Sequence, residues 1–237
     1  MSRKLNILIV EDEAAIRSGL IDVLLYHGFR VDAAEDGPTG LDKALTGQYD
    51  LILLDVMLPG MNGFDICDRI REVDREQPII MLTAKTSDED IIQGLKLGAD
   101  DYVAKPFSVA QLVLRIQAVL RRARVVIENE SIIQLGDDMQ VDIRNLSAHR
   151  GDKMITFTRR EMDILNYLYS NAERPVPREE LLNKLWGYAK NLDLETRTVD
   201  IHIAKLRRKI EVDPAKPSLL VTVRGAGYRL MVDQSGS

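Results

Sequence analysis

The stretch of sequence that decides the fold is LILLDVMLPG, residues 51–60. Four apolar residues in a row, residues 51–54, predict a buried strand. The run ends on a carboxylate, Asp55, and a Pro59-Gly60 turn follows shortly after it. Burying a charged group is costly unless the group is paired. The side chains that surround Asp55 therefore decide what this strand end can do.

Around this stretch, short apolar runs alternate with longer amphipathic segments. The runs NILIV, FRVDAA, YDLILL, PIIML and DYVA predict strands, and residues 14–26, 64–73 and 108–122 predict helices. Such alternation is typical of a doubly wound parallel sheet, here of five strands, with helices on both faces. We therefore predict a flavodoxin-like α/β fold, in which ligands bind beyond the carboxyl ends of the strands.

Polar residues follow four of the five predicted strands. Glu11 and Asp12 follow the first strand, Asp55 ends the third, Thr83 ends the fourth and Lys105 follows the fifth. Three carboxylates at one sheet edge would repel each other unless a hard divalent cation such as Mg²⁺ neutralises them. A carboxylate nucleophile, a cation, a lysine and a hydroxyl are the parts of a phosphoryl-transfer site. The competing interpretation is that each residue is an ordinary solvated strand end.

Composition and motifs exclude several other classes of protein. No apolar run approaches the roughly 18 residues that a membrane span needs, and the single Cys67 permits no internal disulfide. Both features favour a cytoplasmic protein that has no membrane partner. The three histidines lack zinc-site spacing. The turn EDEAA after the first strand would repel a pyrophosphate, so a dinucleotide site is disfavoured.

Residues 1–122 resemble a response-regulator receiver domain, the phosphoacceptor half of a two-component signalling pair. The matching motifs are VEDE, DVMLPGMNG, MLTAK and GADDYVAKPF. The resemblance implies that a sensor histidine kinase phosphorylates Asp55, and that Thr83 and Lys105 contact the acyl phosphate. It also implies that Tyr102 moves with Thr83 as a conformational switch. The implied Mg²⁺ ligands are three carboxylates and one backbone carbonyl: Glu11, Asp12, Asp55 and Met57.

The pattern changes after residue 122. Residues 123–130 are predicted to be a linker and residues 131–233 a second domain. SIIQL, MQVDI, LSAHR and KMITF predict a small antiparallel sheet. Three helices are predicted to follow, the last from about residue 195 to 210, and then two strands joined by residues 224–227. The expected fold is an α+β winged helix-turn-helix.

The third of these helices carries a cluster of basic residues. Residues 1–122 hold 14 Lys and Arg against 20 Asp and Glu, whereas the remainder holds 18 against 17. At about 100° per residue, one helical face is apolar and predicted to be buried: Thr196, Val199, Ile203, Leu206 and Ile210. The opposite face is predicted to carry Arg197, Thr198, Ile201, Lys205 and Arg208. A basic outer face in a helix-turn-helix fits the DNA major groove, and the alternative is a solvated amphipathic helix.

Residues 131–233 resemble the winged-helix effector domain of the OmpR/PhoB family, through TRTVDIHIAKLRRKI and TVRGAGYRL. The resemblance implies that the third helix enters the major groove and that the wing reaches the minor groove, on double-stranded DNA with direct repeats. The implied DNA contacts are Arg197, Thr198, Ile201, His202, Lys205, Arg208, Thr222 and Arg224. Residues 186–194 are implied to meet RNA polymerase. Many relatives carry two arginines in place of Ala204-Lys205, so base specificity cannot be copied from them.

The family also implies that the phosphorylated receiver forms a homodimer through its fourth helix, fifth strand and fifth helix. The residues predicted on this interface are Ile91, Ile92, Leu95, Asp101, Gln111, Leu114 and Arg115. Relatives commonly place an ion pair at the positions of Ile91 and Gln111, which are uncharged here. Asp101 and Arg115 remain as a pair, and Leu114 is predicted to point outward. We therefore expect a dimer that depends mainly on apolar contact.

These residues predict a DNA-binding transcriptional regulator that is controlled by aspartyl phosphorylation. The chain is expected to accept a phosphoryl group and to autodephosphorylate without being primarily an enzyme. One alternative is a small-molecule phosphatase or phosphotransferase, but such enzymes typically carry a second Asp where this chain has Met57. The other alternative is a DNA-binding protein whose receiver is a phosphorylation-independent scaffold.

Overall fold

The computed structural model describes residues 3–84, 97–122, 132–187 and 196–232. Within these ranges the chain forms seven helices and eleven strands. It divides into two compact units, Met1–Arg124 and Val125–Ser237. Of the helices in the described ranges, none has the length and apolar character that crossing a bilayer requires.

The first unit is a parallel sheet covered by helices. Its elements are β1 (Asn6–Val10), α1 (Ala14–Tyr26), β2 (Arg30–Ala34), α2 (Gly37–Ala44), β3 (Leu51–Asp55), α3 (Gly63–Val73), β4 (Ile79–Thr83), β5 (Asp101–Ala104) and α4 (Val109–Arg122). The strand order is β2-β1-β3-β4-β5, and every strand pair is parallel. The predicted five-stranded doubly wound sheet is therefore confirmed.

The core explains why these strands appear as continuous apolar runs. β3 and β4 are buried along their whole length, and β1 is buried from Ile7 onward. Alternate strand residues pack against α1 and α4 on one face, while α2 packs against Val10 on the other. Strands covered on both faces have no solvent side and so no alternation of apolar and polar residues.

A glycine fixes the chain that follows the end of β3. A Cβ on Gly63 would lie 2.1 Å from the backbone oxygen of Asp55, so only glycine permits α3 to begin this close to β3. The Asn62 side chain accepts a hydrogen bond from the backbone N–H of Asp65 and caps the helix. The backbone around Asp55 is therefore held from both sides.

The second unit is a winged helix. Its elements are β6 (Ile132–Leu135), β7 (Met139–Asp142), β8 (Ser147–Arg150), β9 (Lys153–Thr156), α5 (Arg159–Tyr169), α6 (Arg178–Trp186), α7 (Thr196–Ile210), β10 (Leu220–Val223) and β11 (Gly227–Leu230). Strands β6 to β9 form an antiparallel sheet, and β10 and β11 form the hairpin called the wing. Thr158 and Glu161 form the predicted capping box at the start of α5.

A buried ion pair links several elements of the first unit at a position away from Asp55. Arg71 of α3 donates from Nη2 to Asp100 at 3.1 Å and from Nε to the carbonyl of Gly98 at 2.9 Å. The same Asp100 carboxylate oxygen accepts the backbone N–H of Ile79 at 2.9 Å. Both charged side chains are less than a tenth exposed. This pair therefore ties α3 to the segments that enter β4 and β5.

We predict that Arg71→Met destabilises the first unit by about 3–5 kcal/mol, because it removes the guanidinium that pairs with the buried Asp100 carboxylate. The chain has one tryptophan, Trp186, and it lies in the core of the second unit. Thermal unfolding followed by circular dichroism should therefore show an early transition that Trp186 fluorescence does not report. Arg69→Met is the matched control, since Arg69 is exposed on the same helix. Equal unfolding temperatures for Arg71→Met and Arg69→Met would contradict the prediction.

Candidate functional site

Charged side chains meet at the carboxyl edge of the parallel sheet. Glu11 follows β1, Asp55 ends β3 and Lys105 follows β5. Ligand atoms of Glu11, Asp12 and Asp55 lie within 4.8 Å of one another. Asp55 is 2% exposed and Glu11 is fully buried, whereas Asp12 is exposed to solvent. The topology therefore brings together four of the residues that the sequence predicted at this edge.

Lys105 bridges the two buried carboxylates. Its Nζ lies 2.7 Å from Oδ2 of Asp55, 2.8 Å from Oε1 of Glu11 and 3.7 Å from Oε1 of Glu13. Burial by itself lowers the pKa of Lys105, but the hydrogen bonds to Asp55 and Glu11 outweigh burial and raise that pKa above its usual value. Lys105 therefore stays charged at neutral pH, with its ammonium between the two buried carboxylates.

Glu11 is only partly neutralised. Burial, together with the charge of Asp55, raises the pKa of Glu11 in spite of the hydrogen bond from Lys105. Its Oε2 is buried and accepts no hydrogen bond from any residue that the structure describes. Three carboxylates and one ammonium leave a formal charge of about −2 at this edge. Oxygen donors with this charge fit a hard divalent cation such as Mg²⁺.

The remaining predicted receiver residues lie beside this cluster. The backbone N–H of Met57 donates to Oδ1 of Asp55 at 3.1 Å, so the main chain of Met57 borders the site. Thr83 is buried at the end of β4, next to Ala104 in the sheet register. Tyr102 is partly exposed on β5, and its carbonyl accepts a 3.4 Å hydrogen bond from Arg115. The switch role of Thr83 and Tyr102 stays a prediction.

The predicted dimer face is described only in part. Leu114 on α4 is 62% exposed, as the sequence predicted, and Gln111 is also exposed. Arg115 donates to Asp101 at 3.0 Å within the same chain. Ile91, Ile92 and Leu95 lie outside the described residues. The outward direction of Leu114 is confirmed, and its place in a dimer stays a prediction.

Helix α7 shows a different outer face from the predicted one. The predicted core residues Val199, Ile203, Leu206 and Ile210 are buried, as expected. Ala204 and Arg208 are exposed, and Ile201 is partly exposed. The side chains of Thr196 and Arg197 lie outside the described set.

Three of the predicted DNA contacts are largely buried, and their contact with DNA stays a prediction. Thr198 is 2% exposed and His202 has no exposed surface. The side chain of Lys205 is only 11% exposed. None of the three therefore lies on the outer face of α7, which is rotated by about 40° from Lys205 toward Ala204 at about 100° per residue.

A buried glutamate causes this rotation. Glu161 of the capping box is fully buried, with Lys205 Nζ at 3.1 Å and Lys209 Nζ at 2.5 Å from its oxygens. Burial by itself would raise the pKa of the Glu161 carboxyl. The two lysines outweigh burial and bring that pKa down to about 2. A charge in the core needs such partners, so α7 turns Lys205 toward α5. The sequence showed the capping box but not that it lies under α7.

Side chains of α7 that the sequence analysis missed fasten the wing. Arg207 donates to the carbonyl of Leu220 and to the hydroxyl of Thr222, both at 2.8 Å. Glu211, just beyond α7, accepts the backbone N–H groups of residues 218–220. Arg224 is exposed at the tip of the wing. The wing and α7 are therefore joined directly within this unit.

The first residue of the segment predicted to meet RNA polymerase lies at the end of α6. Trp186 is the last residue of α6 and is buried, with Arg160 over its ring at 4.7 Å. It belongs to the core of the second unit, and the contact with RNA polymerase stays a prediction. Residues 188–194 of that predicted loop lie outside the described residues.

Comparison with known proteins agrees with both units. The family model for the response regulator receiver domain matches residues 7–117, and the model for the transcriptional regulatory protein, C terminal, matches residues 152–230. The chain is 40% identical over 225 residues to the uncharacterized transcriptional regulatory protein YkoG of Bacillus subtilis, covering 95% of this chain and 97% of that protein. It is 41% identical over 228 residues to the sensory transduction protein RegX3 of Mycobacterium tuberculosis, covering 95% and 98%.

Solved structures show the same similarity. A RitR mutant structure superposes with a TM-score of 0.72 at 32% identity, covering 96% of this chain and 99% of that one. The response regulator DrrB, a Thermotoga maritima OmpR/PhoB homolog, superposes with a TM-score of 0.52 at 31% identity, covering 97% and 100%. The similarity to both therefore extends over nearly the full length of the chain.

We predict that Glu161→Gln destabilises the second unit in a pH-dependent way. The pKa of about 2 lies below the ordinary value of 4.5, so this carboxylate stabilises the fold above pH 4.5 and loses that effect as the pH falls toward 2. At neutral pH the Glu161 carboxylate therefore contributes at most about 3 kcal/mol to the free energy of unfolding. Urea unfolding followed by Trp186 fluorescence should show a difference in unfolding free energy between wild type and variant, and this difference should become smaller as the pH is lowered.

Glu173→Gln is the matched control, because Glu173 is an exposed glutamate shortly after α5. It should leave the unfolding free energy within about 0.5 kcal/mol of wild type at every pH. A Glu161→Gln gap that stays constant between pH 7 and 3 would contradict the assignment.

Proposed function

We propose that this chain, which belongs to the two-component response regulators of the OmpR/PhoB type, binds promoter DNA under the control of phosphorylation at Asp55. Family membership gives it a receiver domain and a DNA-binding domain. The sensor histidine kinase as phosphodonor, the dependence on Mg²⁺, the dimer, the contact with RNA polymerase and a cytoplasmic location are parts of the proposal.

The observation that carries the proposal is the environment of Asp55. Its two oxygens accept hydrogen bonds from the ammonium of Lys105 and the backbone N–H of Met57. Glu11 next to it keeps a buried oxygen that accepts no hydrogen bond from the described residues. A charged carboxylate with organised donors and an incompletely neutralised neighbour suits an acceptor of a phosphoryl group better than it suits a structural ion pair.

In the proposed reaction, an oxygen of Asp55 attacks the phosphorus of a phosphohistidine in the kinase, and the P–N bond breaks to leave an acyl phosphate. Mg²⁺ held by Glu11, Asp12, Asp55 and the carbonyl of Met57 would neutralise charge on the phosphoryl oxygens. Lys105 already lies within hydrogen-bond distance of Asp55 and supplies a fixed cation there. The Thr83 hydroxyl donates to a phosphoryl oxygen, and Tyr102 follows the movement of Thr83.

We predict that acetyl phosphate and Mg²⁺ add one phosphoryl group to the protein at Asp55, as measured by intact-mass and peptide mass spectrometry. Asp55→Asn should abolish the label, because the amide is a far weaker nucleophile than the carboxylate, and EDTA should prevent it. The Asp42→Asn protein should be labelled normally, because it carries the same Asp-to-Asn substitution at an exposed position of α2. A stable label on the Asp55→Asn protein would show that another residue is the acceptor.

The second unit is proposed to place α7 in the major groove and Arg224 in the minor groove of double-stranded DNA that carries direct repeats. The direct joining of α7 to the wing supports this, because both contacts then belong to one rigid part of the unit. Arg224 and Thr222 are exposed on the wing and are available to the DNA backbone. Arg197 is proposed as a further contact from its position in the sequence alone.

The phosphorylated receiver is proposed to dimerise with Leu114 at its interface. Arg115 is already paired with Asp101 in its own chain, so an ion pair across the interface would have to replace that bond. Burying one leucine side chain stabilises an interface by about 1.5–3 kcal/mol, whereas an exposed ion pair contributes about 0–1 kcal/mol and is screened by salt. Apolar contact at Leu114 therefore provides the larger stabilisation.

We predict that dimerisation of the acetyl-phosphate-treated protein, measured by analytical ultracentrifugation, changes little between low and high NaCl. Leu114→Glu should weaken it more than Arg115→Gln does. Val73→Glu is the matched control, because Val73 is an exposed apolar residue on α3 and receives the same charge. A steep salt dependence, or a stronger effect of Arg115→Gln, would mean that charges hold the dimer together.

A further inference from the structure

We propose that Arg17 is a positioning residue for the binding of Mg²⁺. Its guanidinium fixes the two peptide groups on either side of Asp12 and so directs the Asp12 carboxylate toward Asp55. This role rests on the proposed function, because it concerns the cation of the same site. Arg17 lies in the first turn of α1, five residues after Asp12, and its side chain is 18% exposed.

The shortest hydrogen bonds of Arg17 go to main-chain oxygens. Its Nη1 donates to the carbonyl of Glu11 at 2.7 Å and to the carbonyl of Asp12 at 2.9 Å. These carbonyls belong to the two peptide groups that flank the Cα of Asp12. Because each peptide group is planar, fixing both of them fixes the direction in which the Asp12 side chain leaves the main chain.

Asp12 depends on its main chain more than the other two carboxylates of the cluster do. The ammonium of Lys105 contacts Glu11 and Asp55 at 2.8 and 2.7 Å, whereas Asp12 is exposed to solvent. Ligand atoms of all three carboxylates lie within 4.8 Å of one another. Like charges at this distance repel, so an exposed Asp12 on a loose loop would turn away into water. The bonds from Arg17 oppose that movement.

The stability of α1 does not explain an arginine at this position. A cation in the first turn of a helix lies at the positive end of the helix dipole, where it is unfavourable. The first turn of α1 contains no acidic residue, and the N-cap residue Glu13 makes no side-chain capping bond. A helix start shaped by stability alone favours an acid or a capping side chain. The contribution of Arg17 therefore lies in the loop before α1.

Glu35 holds the other nitrogen of the guanidinium. It follows β2, the strand whose end carried no predicted site residue, and its Oε2 accepts a hydrogen bond from Nη2 of Arg17 at 3.3 Å. The Glu35 side chain is 75% exposed, so this pair contributes little to stability by itself. It does place an anion beside Arg17, and this anion offsets part of the positive charge that Arg17 brings close to a cation site.

Charge and positioning predict opposite effects when Arg17 is removed. A guanidinium and Mg²⁺ repel each other, so loss of the charge alone would tighten Mg²⁺ binding. Loss of the two carbonyl bonds would let Asp12 turn toward water and would weaken Mg²⁺ binding. Groups that orient metal ligands typically change metal affinity by about 10–100-fold. We expect positioning to dominate, because the carbonyl bonds are short and Glu35 offsets the charge.

The test is a Mg²⁺ titration of the unphosphorylated full-length protein, followed by NMR through the backbone N–H of Met57. This N–H donates to Asp55, so its chemical shift reports binding at the cluster. Arg17→Gln should raise the Mg²⁺ dissociation constant about tenfold. Arg17→Lys should raise it about threefold, since lysine keeps the charge but is shorter and lacks the second nitrogen that reaches Glu35.

The rate of phosphorylation by acetyl phosphate gives a second measurement. In Arg17→Gln, the Mg²⁺ concentration at half-maximal rate should rise about tenfold. The rate at saturating Mg²⁺ should equal that of wild type, because Arg17 bonds to main-chain oxygens and Glu35 rather than to the reacting oxygens of Asp55. A variant that was only less stable would lose rate at every Mg²⁺ concentration.

Arg30→Gln is the matched control. Arg30 is exposed at the start of β2, at the opposite edge of the sheet from the cluster, and its substitution removes the same charge from the first unit. The dissociation constant and the Mg²⁺ concentration at half-maximal rate should both stay at their wild-type values.

The positioning role would be overturned by an Arg17→Gln protein that binds Mg²⁺ as tightly as wild type or more tightly. A lower rate at saturating Mg²⁺ would also overturn it, because Arg17 would then act on the chemical step. If Arg17→Gln does not fold, Arg17→Lys decides the question, and a dissociation constant equal to that of wild type would overturn the role. A wild-type protein that neither binds Mg²⁺ nor accepts a phosphoryl group would overturn the proposed function itself.

Discussion

A carboxylate that leaves water must meet a cation, and this requirement organises both units of the protein. In the first unit Lys105 lies between the buried carboxylates of Glu11 and Asp55, at 2.8 and 2.7 Å. The parallel sheet makes the arrangement unavoidable, since the ends of β1, β3 and β5 open at the same edge. Gly63 and the Met57 backbone then hold the chain around Asp55. The site follows from the topology together with this one electrostatic constraint.

In the second unit the same constraint sets which side of α7 faces outward. The Glu161 side chain accepts a backbone hydrogen bond in the capping box at the start of α5, and it has no exposed surface. Its charge draws in Lys205 and Lys209 from α7. Some basic residues of α7 therefore stabilise the domain, and others face solvent. A count of lysines and arginines overstates the positive charge on the solvent-facing side that is available to DNA. Ala204 and Arg208 are exposed because Lys205 is held on the α5 side.

The sequence predicted the features that depend on local pattern or on forced topology. The bounds of α1 and the burial of β3 follow from periodicity, and the capping box follows from a four-residue motif. The meeting of Glu11, Asp55 and Lys105 follows from the parallel order of the strands. A helical wheel gives the period of α7 but not its exact rotation, which is set by a partner 44 residues away in sequence at Glu161. That distance explains why the sequence did not predict the burial of Thr198, His202 and Lys205.

The two buried acids differ in how completely they are neutralised, and this difference separates a structural group from a reactive one. Glu161 has two lysines for one carboxylate, and its pKa falls to about 2. Glu11 shares one lysine with Asp55, and its pKa is raised. A fold under selection for stability alone would supply the missing charge from a side chain, as the second unit does. The first unit leaves the carboxyl edge of its sheet with an excess of negative charge, which the cation of the proposed function would offset. That cost is consistent with a site whose purpose is to bind an ion and a phosphoryl group reversibly.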